Sequence, residues 1–340
     1  MMISPCRRAD VAFTYNAEIG QEGRNSKVYL ANDDHLNQQI VIKEVLKNSV
    51  DFSEYFREAR LLYISSHPNV VQINFAAQDE NNIYISMPYY AKGSVSSRMM
   101  REQLTAREII RYSLHFLNGL HHIHTKGLMH FDIKPNNLML SDRDEALLAD
   151  FGLSENIDYN QRAAPKLQYT THIAPEYFTE NSFGYTYDIF QAGMTIYRMA
   201  VGHNEFQKET DELFSRMNVQ GDICSGVFPR KVYDPHIPKP LQNVIKKCLE
   251  LDPANRYQTV LDILNDLSSI EKCCLDWRPH AAEDGKAWSR KDGSIEFLLN
   301  VVGNESTCYR INENSQRRRH GDMCQTGLTP AKLYKLLKEG

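Results

Sequence analysis

The period of the apolar residues changes once along this chain, and that change limits the folds open to it. From Phe13 to Glu44, β-branched and aromatic residues come in strand-like runs interrupted by a Gly/Asn/Ser turn at GQEGRNS (20–26). Three strands in a meander are expected there, and VVQINFAA (70–77) and NNIYISMPYY (81–90) read as two more. One helix interrupts them: EYFREARLLYI (54–64) repeats apolar residues at helical spacing behind a capping-box pair, Asp51 and Glu54. Beyond Thr105 helices dominate. Thr105 and Glu108 form a second capping box ahead of REIIRYSLHFLNGLHHIHT (107–125), and Gly127 is its stop. DIFQAGMTIYRMAVG (188–202), LQNVIKKCLEL (241–251) and TVLDILNDLSSI (259–270) are the later helices. The expected class is α+β, with a small β-rich part followed by a larger helical one.

At 340 residues the chain has room for a two-lobed core and a small appendage. A net charge of -4 with 42% hydrophobic and 24% charged residues is globular, and it gives no reason to expect a nucleic-acid or anionic-membrane partner. MMISPCRRADVAF has no signal-like apolar run, and nothing later approaches the ~18 apolar residues that would span a bilayer. Seven cysteines without a CxxC pair suit reduced thiols, so a cytoplasmic location is expected. Scattered buried cysteines are the expectation; a zinc site from Cys308, Cys324 and His320 has poor spacing. After Lys272 the pattern becomes CCLDWRPHAAEDGKAWSR, then SIEFLLNVVG (294–303) and TCYRINEN (307–314) as short strands, then a helix in LTPAKLYKLLKEG. This is a small α+β appendage of roughly 65 residues, near the lower limit for an independent core.

Phosphoryl transfer needs charge neutralised and two oxygens aligned, so metal-holding groups, a cation and an aligning carboxylate are required together. HFDIKPNN (130–137) and DFG (150–152) supply them in order. Asp132 can accept the acceptor's hydroxyl proton, Lys134 can neutralise the transferring phosphoryl, and Asn137 and Asp150 can hold metal, while Phe151 packs and Gly152 lets the chain turn. A lone DFG or a lone Lys in a strand carries little weight; the ordered set carries much more.

Over about three quarters of its length the chain resembles the eukaryotic-type (Hanks-type) protein kinase family, serine/threonine class. The resemblance implies a bilobal protein kinase fold over 13–272 (N-lobe 13–90, C-lobe 91–272), an extension at 1–12 and an appendage at 273–340. It implies ATP and Mg2+, or Mn2+ in its place, with a protein substrate. Lys43 in VIKE becomes the cation on the nucleotide phosphates and Glu58 its ion-pair partner. Ile19, Gly20, Gly23, Ser26, Val28 and Val41 surround the nucleotide, Met87 is the gatekeeper, and Pro88, Tyr89 and Tyr90 form the hinge that holds adenine. Glu176 of APE pairs with Arg256, Asp188 braces the catalytic loop, and Leu62, Ile73, His130 and Phe151 stack as a spine.

Two departures stand out. Counted back from Val28, the glycine slots fall on Gln21, Gly23 and Ser26, with Gly20 one place early, so the phosphate-covering loop is degenerate or one residue longer. Phe131 fills the slot where regulated relatives carry an Arg that grips an activation-loop phosphate, so activity is expected not to depend on phosphorylation of Ser154, Thr170 or Thr171. Thr170 is also the candidate to contact Asp132 and Lys134. A nucleotide-binding pseudokinase or scaffold and a small-molecule kinase are the competing functions; the surviving Lys43, Asp132, Asn137 and Asp150 oppose the first, and Lys134, APE and Arg256 the second. The appendage could dock a substrate or regulator. Its Trp277 and Trp288 are expected in its core, and its basic run Arg317–His320 in a solvated loop.

Overall fold

The computed structural model describes residues 10–23, 26–49, 56–164, 170–271 and 274–339. They fall into two units, Met1–Ala91 and Lys92–Gly340.

The first unit is an antiparallel sheet of β1 (Phe13–Gly23), β2 (Ser26–Asp33), β3 (Gln38–Leu46), β4 (Phe75–Gln78) and β5 (Asn82–Pro88), ordered β1-β2-β3-β5-β4, with α1 (Arg57–Ile64) between β3 and β4. The meander forms as expected. The strand expected over 70–77 is shorter, β4 covering Phe75–Gln78; a turn at His67, whose carbonyl accepts the Val70 N–H at 3.0 Å, precedes it. Side chains alternate across a strand, so Ala31, Ile40 and Ile42 pack on one face with Phe13, Phe75 and Tyr84. The capping pair Asp51 and Glu54 lies outside the described residues.

The second unit begins with α2 (Val95–Arg101) and α3 (Ala106–Thr125), followed by β6 (Leu128–Met129), β7 (Leu138–Leu140), β8 (Ala146–Leu148) and β9 (Glu155–Asn156). Then come α4 (Thr186–Val201), α5 (His203–Ser215), α6 (Val219–Cys224), α7 (Lys239–Cys248) and α8 (Val260–Ser268). The capping box is formed on both sides: Thr105 accepts the Glu108 N–H at 3.2 Å and Glu108 accepts the Thr105 N–H at 2.8 Å. Gly127, at φ 73°, takes the left-handed conformation that ends α3 without a Cβ penalty. All of α4 after its first residue is buried, so it is the helix the others pack around. Among the described residues no helix is long and apolar enough to cross a membrane.

The same unit ends in β10 (Arg278–His280), β11 (Lys286–Asp292), β12 (Ile295–Val302), β13 (Glu305–Ile311), β14 (Arg317–Arg319) and α9 (Pro330–Glu339). The five strands form one antiparallel meander, β10 to β14 in order. Sequence patterning singled out only β12, β13 and α9 here. The stretch 317–319 is an edge strand and not a loop. Trp277, Trp288, Phe297, Leu299, Val301 and Cys308 form a core closed by Leu333 and Leu337 of α9, as expected for the two tryptophans. Charged clips fasten it to the rest of the unit: Arg278 reaches Glu108 on α3 at 2.8 Å, Arg107 on α3 reaches Asp276 at 2.5 Å, and Lys286 pairs with Asp234 in the loop between α6 and α7.

Of the cysteines, Cys248 and Cys308 are buried and Cys224, Cys274 and Cys324 half-buried; Cys6 and Cys273 lie outside the described residues. Cys324 Sγ receives the Cys308 N–H and Arg319 Nε, while Cys308 Sγ faces Met323 Sδ at 3.8 Å. These thiols do not converge with His320 on one point, and no three-ligand metal group occurs among the described residues.

Candidate active site

In the first unit, register decides which side chains share a face. Lys43 on β3 lies opposite Val28 on β2 and Ile85 on β5, and Val41 opposite Leu30 and Met87. Val28, Val41, Lys43 and Met87 therefore project from one side of the sheet. Lys43 Nζ donates to both carboxylate oxygens of Glu58, at 2.8 and 2.7 Å. Glu58 sits in the first turn of α1, where the helix dipole also favours a carboxylate. Both side chains are about one-sixth exposed (16% and 17%), so water screens the pair only in part.

Gly20 pairs with Val28 and Gly23 with Ser26, and the register slips by one residue on β1 between these pairs. The extra residue is absorbed by a bulge, so the covering hairpin is longer and not merely poorer in glycine. A Cβ at Gly20 would stand 3.1 Å from Val28 Cβ, a close approach that favours glycine. The side chain of Gln21 lies outside the described residues. Ile19 is exposed; Pro88 pairs with Ile40 at the end of β5, followed by exposed Tyr89 and half-buried Tyr90.

In the second unit, Asp132, Lys134 and Asn137 form one bonded set. Lys134 Nζ lies 3.0 Å from Asp132 Oδ2, and Asn137 Nδ2 donates to Asp132 Oδ2 at 2.8 Å and to its carbonyl at 2.9 Å. All three are buried. The short hairpin of β7 and β8 then returns the chain: the Ala149 N–H donates to Asn137 O at 2.9 Å, which brings Asp150 beside Asn137. Asp150 has φ 62° and its Oδ1 accepts the Gly152 N–H at 3.3 Å, while Gly152 lies in the turn that the Ser154 N–H closes onto Phe151 O at 3.1 Å.

Three polar residues of the buried helix α4 hold this loop from below. Asp188, Gln191 and Thr195 recur at i, i+3 and i+7 and so share a face. Asp188 accepts the N–H groups of His130 at 2.8 Å and Phe131 at 2.9 Å. Gln191 Nε2 donates to Phe131 O at 2.9 Å, and Thr195 Oγ1 to Ile133 O at 3.1 Å. His124 on α3 bonds Asp188 Oδ2 at 2.8 Å. Burial alone would raise the Asp188 pKa; the His124 bond and charge and the His130 N–H outweigh it and hold the carboxyl below its ordinary value. His130 is kept neutral by burial, and its ring bridges the Asp132 N–H and Ala149 O. Gln191, Thr195 and His124 were not singled out from sequence, although a polar stripe on an otherwise apolar helix was the available signal.

The other expected positions fall as follows. Arg256 donates to both oxygens of Glu176 at 2.7 Å. Phe151 and His130 meet edge to face at 5.0 Å, both fully buried; Leu62 is buried in the first unit and Ile73 half-exposed. Phe131, at φ 65° and fully buried, lies 5.6 Å from the Tyr187 ring and 6.3 Å from Phe183. Ser154 and Thr171 are buried; the Thr170 side chain lies outside the described residues.

A divalent metal fits the donor set. The Asn137 side chain bonds Asp132 through Nδ2 both times, which turns Oδ1 away from Asp132. An amide oxygen beside the carboxylate of Asp150 is hard oxygen chemistry suited to Mg2+.

A family model described as a protein kinase domain matches residues 13–267. A probable serine/threonine-protein kinase of Clostridium acetobutylicum is 30% identical over 263 residues, covering 75% of this chain and 39% of the relative. One of Clostridium perfringens is 28% identical over 260 residues, 74% of this chain and 37% of the relative. The tyrosine-protein kinase MasK of Myxococcus xanthus is 28% identical over 260 residues, 70% and 40% respectively. The chain thus spans about two fifths of the length of these relatives.

Proposed function

The chain belongs to the protein kinase family, and from that premise we propose that it transfers the γ-phosphoryl group of ATP to serine or threonine hydroxyls of proteins, with Mg2+, or Mn2+, as the metal. The observation that carries this is the bonded set of Asp132, Lys134 and Asn137. Asp132 orients the acceptor hydroxyl and takes its proton, and Lys134 neutralises charge on the phosphoryl group in flight. Asn137 Oδ1 and Asp150 would hold the metal, which when bound supplies charge neutralisation at the phosphate oxygens. Lys43, fixed by Glu58, takes the phosphates nearer the nucleoside. Gly20, Gly23 and Ser26 offer backbone N–H groups; Ile19, Val28, Val41 and Met87 line the base, and Pro88, Tyr89 and Tyr90 form the hinge. Residues 13–272 act as the kinase domain, in the cytoplasm.

Phosphorylation of the segment after Gly152 is not required in this reading. Phe131 occupies the place of a phosphate-gripping Arg, and its ring packs by Phe183, which exchanges backbone bonds with Ala163 at 2.7 and 2.9 Å. An apolar contact takes over the tethering that a phosphate would provide.

The test uses γ-labelled ATP with a protein acceptor, an aminoglycoside and choline. Wild type should label the protein on Ser or Thr alone, before and after phosphatase treatment. Asp132→Asn should lose at least ~10²-fold in transfer while still binding nucleotide. Equal turnover by both proteins would establish a scaffold, and labelling of a small molecule a different substrate class.

A further inference from the structure

Two groups of cations in residues 274–339 contrast. Arg278 and Lys286 are paired with carboxylates outside the sheet, Glu102 at the end of α2 and Glu108 on α3 for the first and Asp234, in the loop between α6 and α7, for the second. At the far edge of the sheet β14 presents Arg317, Arg318 and Arg319 in succession, all exposed. Among the described residues none of the three has a carboxylate partner: Arg317 lies over the Tyr309 ring at 3.6 Å, and Arg319 Nε donates to Cys324 Sγ at 3.4 Å. Arg318 stands directly opposite Arg310, a like-charge cross-strand pair that is unfavourable by itself and that an anion would relieve.

The backbone is open at the same place. Among the described residues β14 pairs only with β13. The bonds from Asn312 N to Gln316 O and from His320 N to Cys308 O fix the alternation of the ladder. Gln316, Arg318 and His320 therefore turn their backbone groups inward, and Arg317 and Arg319 turn N–H and C=O outward. A row of cations at an edge repels basic strands and disfavours neutral ones, whose pairing would desolvate the charges; an acidic strand is the kind it attracts.

We propose that the β14 edge docks an acidic, extended segment of a protein substrate as a sixth strand of this sheet. Its backbone bonds the outward groups of Arg317 and Arg319, and its Asp or Glu side chains at every second position meet those two arginines on one face or Arg318 with Arg310 on the other. The open ladder favours a peptide over a polyphosphate, and the net charge of -4 opposes nucleic acid. Only the identity of the peptide as a substrate rests on the kinase reading, since the docking itself needs no ATP.

The test is fluorescence anisotropy on the full chain without ATP, using a labelled peptide of alternating Glu and Val. Comparison probes are a Lys/Val peptide, the Glu/Val peptide N-methylated at alternate residues, and an oligothymidine of equal charge. The Glu/Val peptide should bind, more weakly as salt rises, and lose ~10-fold or more in affinity with Arg317→Glu/Arg318→Glu/Arg319→Glu. The corresponding Gln triple, which introduces no new charge, should lose affinity to a lesser extent. Lys332→Glu/Lys335→Glu, a charge change on α9, should leave affinity unchanged. N-methylation in one of its two registers should abolish binding. Affinity indifferent to the arginine variants, no effect of methylation in either register, or tighter binding of the oligothymidine would each overturn the proposal. A chain that binds the peptide but transfers no phosphate would leave docking standing and remove the kinase reading alone.

Discussion

Removal of the Asp188 carboxylate should damage catalysis and stability together, because one buried group holds the catalytic loop in a conformation that it would otherwise leave. Asp188 is fully buried and accepts two backbone N–H groups, those of His130 and Phe131. Phe131 sits at φ 65°, a left-handed conformation that disfavours a bulky side chain by ~1–2 kcal/mol. In Asp188→Ala two buried donors lose their acceptor, at about 1–3 kcal/mol each. His124 loses its partner and Phe131 keeps only its Gln191 bond and ring packing against relaxation, so ~3–5 kcal/mol is expected in all. Asp188→Asn keeps one acceptor and should lose roughly half as much. Displacement of Asp132 by ~1 Å is enough for about 10²-fold in kcat, with KM for ATP little changed. Urea unfolding can be followed by tryptophan emission, since both tryptophans of the chain, Trp277 and Trp288, are buried in the unit that contains Asp188. The folded Asp188 pKa is below the ordinary 3.8, so its contribution is complete above about that pH and fades as pH falls through the folded value. An Asp188→Ala protein with kcat within threefold of wild type and an unshifted urea midpoint would refute this account.

Arg256 is buried, with three backbone carbonyls as well as Glu176 depending on it. Arg256→Ala should lower the unfolding free energy by ~3–5 kcal/mol, read as a lower urea midpoint at unchanged m, and Arg256→Lys by less. His236 is pushed down to about 4 by burial, and its Nδ1 faces Trp288 Nε1 at 3.4 Å. It stays neutral in the fold while the unfolded chain takes up a proton near 6.5, so stability is complete above that pH and falls between 6.5 and 4, by of the order of 3 kcal/mol. His236→Gln should flatten that stretch of the stability-pH curve, measured by the same tryptophan signal.

Much of the site was legible because its residues lie close in sequence. HFDIKPNN carries Asp132, Lys134 and Asn137 within six positions, and their bonds run between near neighbours. The capping box at Thr105 and the strand alternation around Lys43 are likewise short-range patterns, so composition and spacing suffice to read them. The bulge beside Gly20 was open to two readings, and only the pairing of β1 with β2 chose the longer hairpin.

The sequence by itself determined the change of period, the capped helices and the identity of the groups that can move a phosphoryl group. The tertiary structure decided what supports them. Asp188, Gln191 and Thr195 reach a loop about sixty residues away, Arg278 clips the appendage to Glu108, and 317–319 becomes an edge strand through its register with β13. The physical reason is range: a helical or strand period reflects a residue's own neighbours, whereas a buried polar group is satisfied by whatever donor the fold delivers, and no local pattern names that partner.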